Sequence, residues 1–411
     1  MKVLLINIGH SRDGGAFTVY LNTAEMLRAS GIQVVQFALH SANELPCEQA
    51  DYFAKEVTQS HPIDYVLKRF YNTDAAHCLQ HLIDDVHPDV AHVHLMWGGL
   101  APSILNILRR NCIPVVHTVH DYAMICSMVT LRGRDGTICE RCKGGRFWES
   151  VKTRCHGGSL FRSLIAASEI TCRNKRFHPV DLVSHFLFVS NFCLEKHCEM
   201  DNRFQKANKS VLYNIPDSRI VKIAEEPLPD TFDSYYLYYG RLSYEKGLET
   251  LIKSFTNRPN QLLKVVGTGP LEEKLKSFCK KIGAKNIEFV GFKTGNDLFR
   301  IVQKAKFVCV PSEWYENNPM TIVESYTLGT PVIAARIGGI PEIVEEYRTG
   351  FLFESGSQES LEIVMQESES LDKESYLQMK KAARSFANAT FQKDLYVERL
   401  MSLYQEILNN E

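Results

Sequence analysis

The chain has 411 residues, 45% of them hydrophobic, and a formal net charge of -1 from 47 Lys plus Arg against 48 Asp plus Glu. Such a length allows two or three domains, the balanced charge leaves no tail to explain, and no stretch approaches a transmembrane span. Twelve cysteines, mostly single and set in apolar segments as Cys279 and Cys309 are, exclude a disulfide framework and predict reduced core thiols.

The first residues run straight into a strand-like segment over residues 3–8 with no signal peptide, which predicts a cytoplasmic protein. A loop with Gly14 and Gly15 follows, then a helical pattern over 19–29 that closes at Gly31, then a strand over 33–38. Further strand-like runs are residues 90–94 before a Gly-Gly turn, 115–119 before His120 and Asp121, 186–190, and 211–214 with Pro216 behind it. Residues 216–234, rich in Pro, Glu and Asp, predict a linker.

A second alternating series starts at Tyr235: strand 235–240, loop 241–247, helix to about 256, strand 262–266, the turn Gly267-Thr268-Gly269-Pro270, helix 271–282, strand 287–290, helix 295–304 and strand 306–310. Residues 332–335 read as a strand and the region near 340–346 as a helix. The last helix carries Tyr396, Leu400, Leu403, Tyr404 and Ile407 on one stripe and must pack on something. Strands alternating with helices predict two parallel, doubly wound sheets, whose ligands sit beyond the carboxyl ends of the strands and, for two facing domains, in one interdomain cleft.

The most informative stretch is P-S-E-W-Y-E-N-N-P-M-T-I-V-E over residues 311–324. It joins a buried strand to a helix that stops at Gly329, with Pro319 expected at the first helical position and Asn318 at the N-cap. Glu316 lies before the helix and Glu324 within it. Ionised acids so placed suit paired sugar hydroxyls, because a carboxylate accepts two O–H bonds at once. Earlier, G-R-L-S-Y-E-K-G over 240–247 places Arg241 and Lys246 at a strand end, where they can converge on a diphosphate. The Gly14-Gly15 loop is not a G-x-G-x-x-G fingerprint, and no D-x-D pair offers a divalent-metal clamp.

Together, and in this order, these motifs resemble the retaining, nucleotide-sugar-dependent glycosyltransferases of family four (GT4, glycosyl transferases group 1), with the α/β GT-B fold of two Rossmann-like domains. The pieces are the Gly-Gly loop, His120-Asp121, G-R-L-x-x-E-K-G, G-x-G-P and the pair Glu316 and Glu324 with seven residues between them, over essentially the whole chain. The resemblance implies an N-terminal domain over 1–215, rejoined by a C-terminal helix at about 393–411, and a nucleotide-sugar domain over 235–392. It further implies that Arg241 and Lys246 bind the donor diphosphate and stabilise its growing charge, near Gly267 and Gly269. Glu324 would hold the ribose. Glu316 would bind the donor sugar, with the amides of Asn317 and Asn318 near the sugar or phosphate. Gly15 would let its loop reach the diphosphate, and His120 would lie over the sugar ring. Retention would follow a same-face route in which the departing phosphate takes the acceptor proton; Asp121 as a nucleophile is the competing route. Epimerases and phosphorylases share the scaffold but not this pair of acids.

An insertion over about 126–176 stands apart. Cys126, Cys139, Cys142 and Cys155 form a C-x12-C-x2-C-x12-C array that suits a structural zinc, with His156 able to replace one thiolate; free thiols or a redox pair are the alternatives. From Arg132 to Arg176 there are eleven Lys plus Arg against four Asp plus Glu. A solvated face is the default for such charge. With Phe147, Trp148, Leu160, Phe161 and Leu164 expected to be exposed, the segment could also rest on an anionic membrane or hold a lipid diphosphate acceptor. No nucleic-acid module accompanies the charge. The expectation is a cytoplasmic glycosyltransferase, peripheral to the inner face of the membrane, that needs no metal for catalysis. It moves a sugar from a UDP-sugar, or a GDP-sugar, to a glycan or lipid-linked glycan in surface polysaccharide, O-antigen or lipopolysaccharide assembly. The alternative is a non-catalytic sugar-nucleotide or glycan-binding protein.

Overall fold

The computed structural model describes residues 1–58, 62–228 and 234–409. The chain divides into two compact units, Met1–Leu212 with Lys393–Glu411 and Tyr213–Gln392.

The first unit holds strands β1 (Lys2–Gly9), β2 (Gln33–Leu39), β3 (Val90–Val93), β4 (Val115–Val119), β5 (His185–Phe188) and β6 (Lys209–Val211). Their order is β2-β1-β3-β4-β5-β6 and every pair is parallel. Val3, Leu4, Leu5 and Ile6 are all fully buried. Apolar residues therefore run unbroken along β1 rather than alternating, because the sheet is covered on both faces. The order reverses between β1 and β3, and the loops leaving those two strands are where a ligand of such a sheet binds.

The helix Lys393–Asn409 belongs to this first unit and buries the stripe read from the sequence: Tyr396, Leu400, Leu403, Tyr404 and Ile407. Two phenols fix its register. The Tyr396 hydroxyl lies 3.1 Å from Thr23 Oγ1, and the Tyr404 hydroxyl lies 2.5 Å from Nδ1 of His92 on β3. Residues 410–411 of the expected helix lie outside the described residues.

The second unit holds β7 (Tyr235–Tyr239), β8 (Leu262–Val266), β9 (Ile287–Gly291), β10 (Phe307–Val310), β11 (Val332–Ala335) and β12 (Gly350–Phe353) in the order β12-β11-β10-β7-β8-β9, again all parallel. Strand β10 shows why its four residues had to be apolar. Val308 and Val310 enter one core with Ile322, Val323 and Tyr326, while Phe307 and Cys309 enter the opposite core with Leu251, Phe255 and Leu263. Here the order reverses between β7 and β10, so the loops after those strands share one crevice.

Two expectations change. Residues 218–224 are not loose linker: they form a short 3-10 turn and a helical turn whose Ile220 and Ile223 enter the first of these cores. Residues 229–233 of that expected linker lie outside the described residues. The helix expected over 340–346 is only Ile340–Ile343.

Replacing Tyr404 by Phe removes the hydrogen-bond partner of His92 Nδ1 in the buried ring without opening a cavity. Tyr404→Phe should lower the stability of the first unit by roughly 1–3 kcal/mol, the cost of one buried polar group left unpaired. The midpoint of urea unfolding, followed by circular dichroism, reads this shift; an unchanged midpoint shows that the bond contributes nothing.

Candidate functional site

Three loops of the second unit meet at the crevice beside β7. The loop after β7 turns into the helix Leu248–Thr256 through Gly247, whose φ of 66° is left-handed and whose hypothetical Cβ would sit 1.9 Å from the Pro311 carbonyl oxygen. Only glycine allows that approach. The loop after β8 presses on the loop after β7 in the same way, since a Cβ at Gly267 would lie 2.0 Å from the Gly240 oxygen and one at Gly269 would lie 2.4 Å from the Leu242 oxygen. Backbone bonds from Gly240 to Val266 and from Leu242 to Thr268 lock the two together.

This contact delivers Lys246 to Glu316. Lys246 Nζ lies 2.6 Å from Glu316 Oε1, the same oxygen accepts from Ser312 Oγ at 2.7 Å, and the ammonium stands 5.1 Å from the centre of the Trp314 ring. Glu316 is only 6% exposed. Burial by itself would raise its pKa, but the Lys246 charge and the hydrogen bonds outweigh burial and hold the carboxyl below its ordinary value. The site therefore keeps a preformed anion and cation side by side. Arg241 is exposed, and its carbonyl accepts from the Tyr238 hydroxyl at 2.8 Å.

Asn317 and Asn318 are both buried beside Glu316. Asn318 does not cap the following helix, as the sequence suggested: Pro319 occupies the cap and the helix is Met320–Thr327. The Asn318 side chain is taken up instead by the backbone amide of Asn214, 2.9 Å from its Oδ1, while Asn214 Nδ2 donates to the Asn318 carbonyl. Its Nδ2 is buried with no partner, a donor left for a ligand.

Glu324 is the second departure. The expected ionised carboxylate has a pKa pushed up to about 8, by burial first and then by the nearby charge of Asp217, against the opposing hydrogen bond from the Tyr239 hydroxyl at 3.3 Å. At neutral pH it is mostly protonated. Asp217 is itself buried and clasped by Arg219 at 2.9 and 2.6 Å. Neither residue stood out in the sequence, because they fall in the acidic, Pro-containing stretch that resembles a linker.

In the first unit, Gly15 is the first residue of the helix Gly15–Ala29, which starts four residues before the apolar pattern; the left-handed φ, 151°, falls on Gly14. His120 follows β4, and the end of β3 places His94 against it, with His94 Nδ1 3.0 Å from His120 Nε2 and the two rings stacked. His92 stacks on His94 in turn, with centroids 4.6 Å apart. Burial is the main reason that His92 and His120 are each lowered to about 3 and His117 to about 4, so these rings are neutral. Asp121, raised to about 6 mainly by burial, accepts from the Ala123 amide at 2.9 Å. The spacing His92-x-His94 was the available signal: alternate residues of a strand share a face.

Residues 221–386 match the family described as "Glycosyl transferases group 1", and residues 13–148 match "Glycosyltransferase Family 4". The chain belongs to the family 4 glycosyltransferases. Relatives span most of its length. A Klebsiella pneumoniae protein named for its place in the cps region is 23% identical over 361 residues, 84% of this chain and 87% of that protein. A D-inositol 3-phosphate glycosyltransferase of Corynebacterium glutamicum is 24% identical, over 79% of this chain and 73% of its own. Among solved structures, sucrose-phosphate synthase of Thermosynechococcus elongatus covers 100% of both chains at a TM-score of 0.69 and 17% identity. Anabaena HepE in complex with UDP-glucose covers 99% of this chain and 100% of its own at a TM-score of 0.66 and 16% identity. These similarities establish the two-domain GT-B fold.

The expected zinc centre finds no support in this glycosyltransferase. Among the described residues no group of three or more His, Cys, Asp or Glu side chains is arranged to hold a metal ion. All four thiols are free. They are neighbours, since Cys142 is pushed up to about 12 by burial first and then by Cys126, Cys155 and Cys139. Cys155 Sγ, however, is engaged by Thr153 Oγ1 at 3.0 Å. Phe147, expected at the surface, is buried, whereas Trp148, Leu160, Phe161 and Leu164 are exposed. No helix among the described residues is long and apolar enough to cross a membrane.

Glu324 yields a signed prediction. Its folded-state pKa of about 8 lies above the ordinary carboxyl value, so the stability it lends is full below about pH 4.5 and is lost as pH rises towards 8. Between those limits the slope is on the order of 1.4 kcal/mol per pH unit. Glu324→Gln, an uncharged isostere, should flatten that part of the pH profile of thermal unfolding and stabilise the protein most near pH 8; parallel wild-type and variant profiles would refute the raised pKa.

Proposed function

We propose that this chain transfers a hexosyl group, with retention, from a nucleotide diphosphate sugar to a hydroxyl of a glycan or lipid-linked glycan during surface polysaccharide assembly. UDP is the preferred nucleotide and GDP the rival. The observation that carries the proposal is the Lys246–Glu316 pair, a partly exposed ammonium on a buried carboxylate, held where the strand order reverses. Relatives named for a cps region and for glycosyl transfer agree with it, as does the UDP-glucose bound by the structurally similar HepE.

In this reaction Lys246 turns from Glu316 to the donor diphosphate, with Arg241 beside it, and both cations stabilise the charge that appears as the anomeric C–O bond breaks. Glu316, freed of its cation, accepts from hydroxyls of the donor sugar, and the unpartnered Nδ2 of Asn318 donates to the sugar or phosphate. The tight turns at Gly267 and Gly269 leave room for the diphosphate. Glu324 receives the ribose hydroxyls, whose donation favours its ionised form. Gly15 and His120, from the first unit, meet the diphosphate and the sugar ring. The acceptor oxygen bonds to the anomeric carbon on the face the diphosphate leaves, and the acceptor proton passes to the departing phosphate oxygen. The enzyme works in the cytoplasm, at the inner membrane face where a lipid-linked acceptor would be presented.

Lys246→Ala and Glu316→Ala should each lower turnover by about two orders of magnitude or more, the scale of losing one charge-stabilising contact. Candidate donors are first ranked by the thermal shift they produce, and the best is assayed for product by mass spectrometry. Near-normal turnover in either variant removes the assigned role, and a product whose anomeric proton coupling reports inverted configuration removes retention.

A further inference from the structure

A second pocket lies wholly within the first unit. It is a cavity of about 420 Å³ between the helices Pro62–Phe70 and Leu160–Arg176, closed at one end by the loop that carries Met128 and His156. Val66, Met128 and Ile165 give it apolar walls, and the rings of Tyr65 and Phe161 flank it. None of the residues assigned above to the sugar nucleotide lines it.

Its polar groups are few and incompletely used. Arg69 donates through Nη1 to the Tyr65 hydroxyl at 3.2 Å, but its Nε is buried with no partner. His156 is held through its backbone amide, which donates to Ser163 Oγ at 3.1 Å, and its Nε2 is likewise buried and unpartnered. Arg162 lines the same pocket, and among the described residues neither guanidinium is paired with a carboxylate. A buried guanidinium donor without a partner in an apolar cavity is costly unless an anion completes it, and the His156 ring beside it, which gives one N–H to the Ser127 carbonyl, offers a second donor to that anion once Nε2 takes a proton. A guanidinium fork fits phosphate oxygens in particular.

The rim has the opposite character. Phe161 is 70% exposed and Leu67 62%, and Leu160, Leu164 and Ile63 are exposed beside them. Two neighbouring helices thus present an apolar surface that continues out of a cationic pocket.

We propose that this pocket binds the phosphate or diphosphate end of a lipid-linked acceptor, with Arg69, His156 and Arg162 on the phosphate oxygens and the hydrocarbon chain along Leu67, Phe161 and Leu164. It deepens the proposed function and rests on it for the identity of the occupant as an acceptor. The binding itself is independent of transfer. Charge and shape together select the ligand: a bare phosphate leaves the apolar rim wet, and a neutral lipid leaves the Arg69 donor unsatisfied.

The test is isothermal titration of the full chain with farnesyl diphosphate, with inorganic diphosphate and farnesol as separate arms. Farnesyl diphosphate should bind at one site and at least tenfold more tightly than either fragment. Arg69→Met and Phe161→Ser should each weaken it about tenfold or more while leaving the thermal shift given by UDP-glucose unchanged. Phe161 is exposed, so its replacement cannot fail merely by unfolding the chain. Equal affinity for inorganic diphosphate, no binding of farnesyl diphosphate, or unchanged affinity in both variants overturns the proposal. Co-sedimentation with phosphatidylglycerol vesicles that depends on these residues, without farnesyl diphosphate binding, overturns it in favour of a bare membrane contact. If UDP-glucose and other sugar nucleotides produce no thermal shift while farnesyl diphosphate binds, the transferase reading fails and the lipid site stands.

Discussion

One ion pair organises the second unit. Lys246 and Glu316 come from loops that follow different strands, β7 and β10, and the buried carboxylate depends on the partly exposed ammonium: removing Lys246 strands Glu316 at a cost of several kcal/mol. The backbone had to let the loops approach before the side chains could meet, which is the role of Gly247 against Pro311. The pair also keeps the Glu316 carboxyl ionised in spite of its burial. In the proposed reaction each ligand group replaces a partner already present, so the charges need little reorganisation when the donor arrives.

Both units apply the same topological rule with different strand orders. In the second, the reversal lies between β7 and β10, and Arg241, Lys246 and Glu316 all sit in the loops beyond them. In the first, it lies between β1 and β3, and Gly15 and His94 follow those strands. The parallel sheet leaves its strand ends open at one edge only, and residue chemistry collects there because the faces are spent on packing. The return of the helix Lys393–Asn409 to the first unit obeys packing alone: its stripe needed an apolar surface, and the hydroxyl of Tyr404 met the imidazole of His92.

What could be seen in the sequence follows from periodicity. Buried runs such as residues 307–310, the final stripe, and the close succession of Gly-rich loops after strands are local patterns, so fold class could be read without coordinates, while the grouping of Lys246 with Glu316, Asn317 and Asn318 followed from the family resemblance. Features that depend on what lies opposite a residue could not. Glu324 reads as an ionised acid until burial and Asp217 are seen around it. Asn318 has the spacing of an N-cap, yet the amide of Asn214, 104 residues away, takes its oxygen. The cysteine spacing suggested zinc, but spacing measures chain separation only: the four thiols are neighbours, yet among the described residues no three of them form a metal-holding group.

The histidines beside β3 show how such nonlocal environment bears on chemistry. His94 is fully buried, its Nδ1 faces His120 Nε2, and its own Nε2 has no partner. A neutral imidazole carries one proton. Placing it on Nε2 would bury an orphan N–H, whereas placing it on Nδ1 buries only an orphan lone pair, which proteins tolerate better. His94 therefore donates to His120, and His120 must carry its own proton on Nδ1. A ring whose basicity burial has lowered to about 3 cannot serve as a proton acceptor near neutrality. It can only present a fixed dipole, and that restricts the part His120 plays in the proposed transfer to orienting the sugar and stabilising charge by hydrogen bonding, leaving the acceptor proton to the departing phosphate.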